Sequence, residues 1–87
     1  MPEISRFFGI VIRMYFDDHP PPHFHASYAG HEGRITVLPI GVMSGGDLPP
    51  RPLALAVEWA TLHQAELFEN WHLARLGKPL ANIAPLE

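Results

Sequence analysis

The chain has 87 residues, no cysteine and a formal net charge of −3. This length forms one domain with a limited core, and without cysteine the chain holds neither a disulfide nor a thiolate zinc site. The acidic balance disfavours nucleic-acid binding, unless the fold gathers the singly scattered arginines and lysine into one patch. No apolar run is long enough to span a bilayer and the start lacks a basic leader. We therefore expect a soluble, cytoplasmic protein with a single domain over residues 1–87 and no membrane association.

The N-terminal half predicts a small antiparallel sheet. Residues 4–16 are rich in aromatic and β-branched side chains, which is typical of a strand buried on much of both faces. Gly9 interrupts this run, so we expect either two short strands joined by a turn or one strand with a bulge. Residues 23–28 and 33–38 are predicted as the next strands, and residues 40–43 as a short edge strand.

The C-terminal half predicts one long helix. Asp47 and the prolines up to Pro52 suit a helix start, whereas residues 53–76 contain neither proline nor glycine. Gly77 stands where a left-handed C-terminal cap is expected, and Trp59 and Trp71 are predicted as core or interface residues. Residues 78–87 are predicted to dock as an irregular tail.

These elements predict an α+β fold, in which a sheet of three to four antiparallel strands (residues 4–43) packs against one helix (residues 51–76). One helix covers only one face of such a sheet. If the opposite face carries the remaining aromatic residues of the first strand, it is apolar and exposed. We therefore expect a homodimer or another protein partner to cover it.

The segment Asp17-Asp18-His19-Pro20-Pro21-Pro22-His23-Phe24-His25 concentrates the polar chemistry of the chain. The three prolines predict a stiff, extended bend before His23. His23 and His25 are two residues apart on a predicted strand, so they share a face while Phe24 points to the other.

Imidazole is a common ligand for zinc and other divalent transition metals. His19, His23 and His25 could supply three nitrogens to such an ion. A fourth ligand is also needed. The candidates for this position are Asp17, Asp18, His31 and Glu32.

Two other interpretations of these histidines remain open. In the first, His23 and His25 donate hydrogen bonds that fix the turn and have no further role. In the second, they act as a general acid and base, with Arg13 or Arg34 as the cation that stabilises a phosphorane in a metal-independent ribonuclease. The second interpretation requires that the sheet brings an arginine beside His23 or His25.

Several segments together resemble a known family. They are residues 1–16, Asp18-His19-Pro20-Pro21-Pro22-His23-Phe24-His25-Ala26, Gly46-Asp47-Leu48-Pro49, Glu58-Trp59-Ala60 and Asn70-Trp71. They are similar to the small bacterial proteins grouped as domain-of-unknown-function family 4160. The Pro-His-Phe-His element is the most specific part of the resemblance.

The resemblance implies a role but assigns no catalytic or metal residue. Members of that family are often encoded beside a small protein of family 2442, in arrangements similar to toxin–antitoxin pairs. We therefore expect a protein-interaction component of a two-gene system that binds itself or the co-encoded protein. The alternatives are a small hydrolase, either an endoribonuclease or metal-dependent, that uses His23 and His25, and a metal-binding protein without catalysis.

Overall fold

The computed structural model describes residues 2–44 and 46–87, and within them the chain has an α+β fold. Five antiparallel strands form one sheet in chain order, and two helices follow. The strands are β1 (Glu3–Phe7), β2 (Ile10–Arg13), β3 (His23–Tyr28), β4 (His31–Val37) and β5 (Ile40–Ser44), and the helices are α1 (Pro50–Leu62) and α2 (Gln64–Arg75).

The prediction of three to four strands is wrong, because the described residues contain five. The run predicted over residues 4–16 contains two strands joined by a hairpin turn, which is the first of the two alternatives at Gly9. Phe8 and Gly9 both have left-handed φ angles, 49° and 79°, as a two-residue hairpin turn requires. The turn pairs Phe7 with Ile10, so both side chains lie on the buried side of the sheet.

The prediction of one long helix is also wrong, because the helix ends at Leu62 and a second one begins at Gln64. His63 lies between them with φ −123° and ψ 26°, outside the helical region. The Gln64 side chain donates a 2.8 Å hydrogen bond to the carbonyl of Val37, the last residue of β4. The break is therefore tied to a contact with the sheet, and neither proline nor glycine marks it in the sequence.

The hydrophobic core lies between one face of the sheet and the helices. Ile12, Phe24 and Ile35 are fully buried on that face. The Phe24 ring meets Trp59 of α1 edge to face, with ring centroids 5.6 Å apart. Burial of aromatic and branched side chains is the main source of stability in a domain of this size.

Residues 78–87 contain neither helix nor strand, but they are hydrogen-bonded to the rest of the domain. The buried Asn70 side chain both donates to and accepts from the backbone of Ala81, at 2.9 Å in each case. Trp59 Nε1 donates to the carbonyl of Ala84, and the Ile83 amide donates to the carbonyl of Ile4. The tail therefore closes the helix side of the core.

The face of the sheet opposite the core is polar, so the expectation of an exposed apolar face is wrong. The strand pairing places Arg13, His25 and Arg34 side by side on it. The hairpin at Phe8 and Gly9 explains the difference, because it moves Phe7 into the core. The homodimer remains a prediction. No helix among the described residues is long and apolar enough to cross a membrane.

Candidate metal site at the start of β3

Three side chains converge at the start of β3. Asp18, His23 and His25 each offer one ligand atom, and these atoms lie within 4.8 Å of one another. Asp18 Oδ2 is 2.9 Å from His25 Nε2 and 3.3 Å from His23 Nε2. We call this group the triad. It combines two imidazoles and one carboxylate, a ligand set that suits divalent transition metals.

The backbone of β3 and of the proline bend positions the two histidines. Alternation along the strand points His23 and His25 to one face and Phe24 to the other, and the two imidazole centroids are 5.4 Å apart. The carbonyl of Pro22 accepts a 3.0 Å hydrogen bond from the Val37 amide, so the bend continues the pairing of β3 with β4. The bend is therefore anchored to the sheet directly beside the triad.

Hydrogen bonds at Nδ1 orient both imidazoles. His23 Nδ1 donates to the carbonyl of Pro21 at 2.7 Å, and His25 Nδ1 donates to Glu32 Oε2 at 2.9 Å. A neutral imidazole has one N–H, so the His23 ring then carries its lone pair on Nε2. His25 Nε2 donates a 2.9 Å hydrogen bond to Asp18 Oδ2, and a metal ion at this position replaces that proton. Both Nε2 atoms face Asp18. A backbone carbonyl or carboxylate at the second ring nitrogen is the usual way in which a metal-ligating histidine is oriented.

His23 Nε2 is a buried nitrogen without a hydrogen-bond partner. The His23 side chain is only 3% exposed, and its 3.3 Å approach to Asp18 Oδ2 lacks hydrogen-bond geometry. A buried acceptor left unpaired costs about 1–3 kcal/mol, and here its lone pair faces a carboxylate oxygen. A cation between the two Nε2 atoms and Asp18 would bind all three groups at once.

The distances within the triad suit a small metal ion. Ligands at about 2.1 Å from a tetrahedral zinc ion lie roughly 3.4 Å from one another. The two separations from Asp18 Oδ2, 2.9 and 3.3 Å, are close to this value. The Asp18 side chain is 25% exposed, so water can reach this side of the triad.

Side chains from two other segments surround the triad. The Trp71 ring of α2 packs against His23 with centroids 5.5 Å apart, and Arg75 lies over the same indole. Arg75 Nη1 also approaches the carbonyl of Asp18 at 3.4 Å. Tyr15 meets the His25 ring edge to face at 4.5 Å. Sequence reasoning gave no role to Arg75 or Tyr15, because Arg75 is 57 residues from Asp18 and nothing local links them.

The structure brings together only part of the predicted metal set. His23 and His25 lie in the triad, whereas His19 is exposed and lies outside it. Asp18, one of the candidates for a fourth ligand, is the third member. Glu32, another of those candidates, holds His25 Nδ1 from the outside. Asp17 is exposed and also lies outside the triad.

The turn after β5 fixes the backbone at Glu32. Asp47 accepts hydrogen bonds from His31 Nδ1 at 2.9 Å and from the Glu32 amide at 3.0 Å. The hydrogen bond from His31 is the main reason why the pKa of Asp47 is lowered from its ordinary value. Gly46 has a φ of 53° and leaves no room for a Cβ, which would overlap the carbonyl oxygen of Glu32. His31 therefore belongs to this turn and not to the triad.

The sheet places an arginine on each side of His25. Arg13 of β2 and Arg34 of β4 are the two residues paired with His25 across the neighbouring strands. Arg13 Nη1 donates a 3.1 Å hydrogen bond to Ser27 Oγ on the same face. The ribonuclease interpretation requires an arginine beside His23 or His25. Both Arg13 and Arg34 meet this requirement, because each is paired with His25.

Two cavities of the fold lie away from the triad. One of about 380 Å³ is bounded by apolar side chains near the opposite end of β3, including Phe8, Tyr28 and Leu55. Another, of about 270 Å³, lies between α2 and the tail. The triad is therefore next to an open sheet surface and not at the base of either pocket.

The triad lies within the part of the chain that matches a known protein family. The profile of the family described as "Domain of unknown function (DUF4160)" matches residues 9–72, well over half of the chain. This region contains Asp18, His23 and His25. Nothing among the curated proteins and nothing among the solved structures matches the chain. The protein belongs to the DUF4160 family.

Proposed function

We propose that the protein is a small metal-dependent hydrolase whose divalent transition metal ion, zinc in the first instance, is bound by Asp18, His23 and His25. The observation that carries the proposal is the buried, unpartnered Nε2 of His23, which faces Asp18 beside the Nε2 of His25. A metal ion supplies an electron-pair acceptor for His23 Nε2, and it takes the place of the proton in the 2.9 Å hydrogen bond that otherwise joins His25 Nε2 to Asp18 Oδ2.

The number of protein ligands favours catalysis over a purely structural role. Structural zinc sites are usually closed by four protein ligands, whereas catalytic sites have three and leave one position for water. The triad offers three, and the exposed edge of Asp18 admits solvent. A metal-bound water has a pKa near 7 in such sites, so a hydroxide nucleophile is present at neutral pH.

Metal binding is tested with protein purified without a polyhistidine tag. We expect one zinc or cobalt ion per chain by elemental analysis after dialysis, and a visible absorption spectrum of the cobalt form. Asp18→Asn and His25→Gln should weaken the affinity by about 100-fold or more, because each removes a ligand; even loss of an outer hydrogen-bond partner costs 10–100-fold.

His19→Gln is the matched control for these variants. It removes a histidine from the same segment but outside the triad, so metal affinity should not change. Circular dichroism of each variant separates loss of a ligand from loss of the fold. A wild-type protein that binds no stoichiometric metal, or a His19→Gln variant as defective as His25→Gln, would refute the proposed site.

Catalysis is tested separately with the metal-loaded protein. We expect hydrolysis of at least one chromogenic substrate in a set of carboxylic esters, phosphomonoesters and phosphodiesters. The activity should disappear on chelation and in His25→Gln. Stoichiometric metal without hydrolysis of any substrate would instead support the metal-binding protein without catalysis.

A second candidate is the protein-interaction role implied by the family resemblance. Strand β5 is at the edge of the sheet, and Val42 and Met43 on it are 52% and 41% exposed. An exposed apolar edge strand is suited to pairing with a strand of another chain. We propose the co-encoded small protein as the partner in a toxin–antitoxin-like system.

Co-expression of the two proteins tests this second candidate. We expect them to copurify as a complex, and Val42→Lys to abolish it while leaving the isolated protein folded. Separate elution of the two wild-type proteins would contradict the proposal. A larger assembly of this chain alone would point to a homodimer instead.

A further inference from the structure

We infer that the substrate of the triad is a phosphodiester, whose phosphate is held by Arg13 and Arg34 on the open face of the sheet. This inference rests on the proposed function and adds the substrate class. Its basis is the strand pairing, which places one arginine on each side of a triad ligand.

The register forms a single row across the sheet. From β1 to β5, paired positions are occupied by Glu3, Arg13, His25, Arg34 and Ser44. Neighbouring strands are about 4.8 Å apart, so the Cα atoms of the two arginines are separated by roughly 10 Å. Both guanidinium groups can therefore reach a phosphate bound at His25, which lies midway between them.

Neither arginine forms an ion pair with a carboxylate among the described residues, although the charge of Arg13 adds to the effect of Arg6 in lowering the pKa of Glu3. Arg34 is exposed and takes part in no ion pair among the described residues. The described contact of the Arg13 guanidinium is to a hydroxyl, that of Ser27. Two unpaired guanidinium groups beside one site form a binding place for an anion, and arginine matches phosphate oxygens in a bidentate manner.

The carboxylates on the same face are already engaged. Glu3, opposite Arg13, accepts 2.8 and 3.2 Å hydrogen bonds from Arg6, which lower the pKa of Glu3. Glu32 accepts from His25 Nδ1, and Asp18 belongs to the triad. With Glu3 paired to Arg6, the two arginines of the row balance the charges of Glu32 and Asp18, so a divalent ion bound in the triad would make this face positive although the chain as a whole carries −3.

The open surface favours a phosphodiester that is part of an extended nucleic-acid strand. The triad lies outside the two cavities described above, and Arg34 beside it is exposed. Phe16, three residues after Arg13, is 42% exposed. Exposed aromatic side chains can stack on the bases of single-stranded nucleic acid.

The reaction requires only water as co-reactant. A metal-bound water oxygen forms a new bond to phosphorus while the bond from phosphorus to the leaving oxygen breaks. The attacking water gives up one proton to solvent, and the leaving alkoxide takes one up. Diester and water thus become monoester and alcohol, with no oxidation or reduction. The two guanidinium groups stabilise the negative charge of the phosphoryl oxygens.

The experiment compares three substrates and three arginine variants in metal-loaded protein. Bis(p-nitrophenyl) phosphate, a single-stranded RNA and the corresponding DNA all contain the diester and distinguish its source. Arg13→Gln and Arg34→Gln should each lower kcat/KM for the diesters by about tenfold or more, since each removes a charged hydrogen bond. Arg51→Gln is the matched control, because Arg51 is an exposed arginine on α1, away from the row.

The outcomes separate the substrate class from the metal site. The absorption spectrum of the cobalt form should be unchanged in Arg13→Gln and Arg34→Gln, since neither residue is a ligand. Two results obtained with a normal metal site would refute the phosphodiester substrate without refuting the proposed hydrolase activity. One is hydrolysis of carboxylic esters only, and the other is an equal effect of Arg34→Gln and Arg51→Gln on kcat/KM. Absence of metal binding by the wild-type protein would refute the proposed function itself.

Discussion

The two faces of the sheet are built by neighbouring residues of the same strands but have opposite chemistry. On β4, Ile35 is fully buried in the core, whereas Arg34 is exposed beside His25. The same alternation separates Phe24 from His25 on β3. One strand residue therefore contributes mainly to stability and the next mainly to the proposed site, so the two properties can be changed independently.

The largest effect on stability is expected from Ile35→Ala. Loss of a fully buried isoleucine side chain costs about 2–5 kcal/mol, a large fraction of the free energy of unfolding of a small domain. Arg34→Ala, one residue away, should change it by no more than about 0.5 kcal/mol. Urea denaturation followed by circular dichroism measures both.

If Ile35→Ala does not fold at all, Ile35→Val gives a measurable form of the same test, with an expected loss of about 0.5–1.5 kcal/mol. Equal destabilisation by Arg34→Ala and Ile35→Ala would contradict the division of roles between the two faces. That result would mean that Arg34 stabilises the fold and does not form a binding surface.

A smaller loss is expected from Asn70→Ala at the tail. This change removes two hydrogen bonds to the Ala81 backbone and should cost about 2 kcal/mol. The bonds tie residues 78–87 to α2, so limited proteolysis should also cut the tail faster. Glu69→Ala, an exposed neighbour, is the control. A tail equally resistant in both variants would show that Ile83 and the other tail contacts suffice to hold it.

The smallest effect is expected at the turn that fixes Glu32. The hydrogen bond from His31 lowers the pKa of Asp47 below its ordinary value. A carboxylate with a lowered folded pKa adds stability above its unfolded pKa, near 4, and this contribution is lost as the pH falls through the folded pKa. Asp47→Asn should therefore reduce the fall in stability below pH 4.

Thermal unfolding of the wild-type protein and of Asp47→Asn between pH 2 and 7 measures this difference. Asp17→Asn is the comparison variant, because Asp17 is an exposed acid outside the turn and the triad. Identical pH profiles for the wild type and Asp47→Asn would show that the turn does not depend on this charge.

The sequence predicted the α+β class and the order of its elements, because these depend on local patterns. Gly9 marked the position of the first hairpin, although the sequence around Gly9 did not decide between a turn and a bulge. The break at His63 has no proline or glycine to mark it, and the Gln64 side chain next to it is hydrogen-bonded to the distant end of β4. The polar face was mispredicted because the hairpin at Phe8 and Gly9 changes which side of the sheet Phe7 occupies.

The candidate site was predictable only where it follows strand alternation. The shared face of His23 and His25 follows from their spacing of two. The sequence offered His19 as the third ligand and Asp18 only as a candidate for the fourth, whereas the structure places Asp18 beside the two histidines, because the direction of each side chain depends on how the proline bend turns. Arg13 and Arg34 were offered as cations, but only the register of three strands places both beside His25.

X-ray absorption spectroscopy of the zinc-loaded, untagged protein is the most direct test of the proposed metal site. The account predicts four light-atom ligands at about 2.0–2.1 Å, with the multiple scattering of two imidazoles. His25→Gln should reduce this to one imidazole, and His19→Gln should leave two. A wild-type spectrum without imidazole scattering, or one that loses it in His19→Gln, would contradict the assignment of Asp18, His23 and His25 as a metal site.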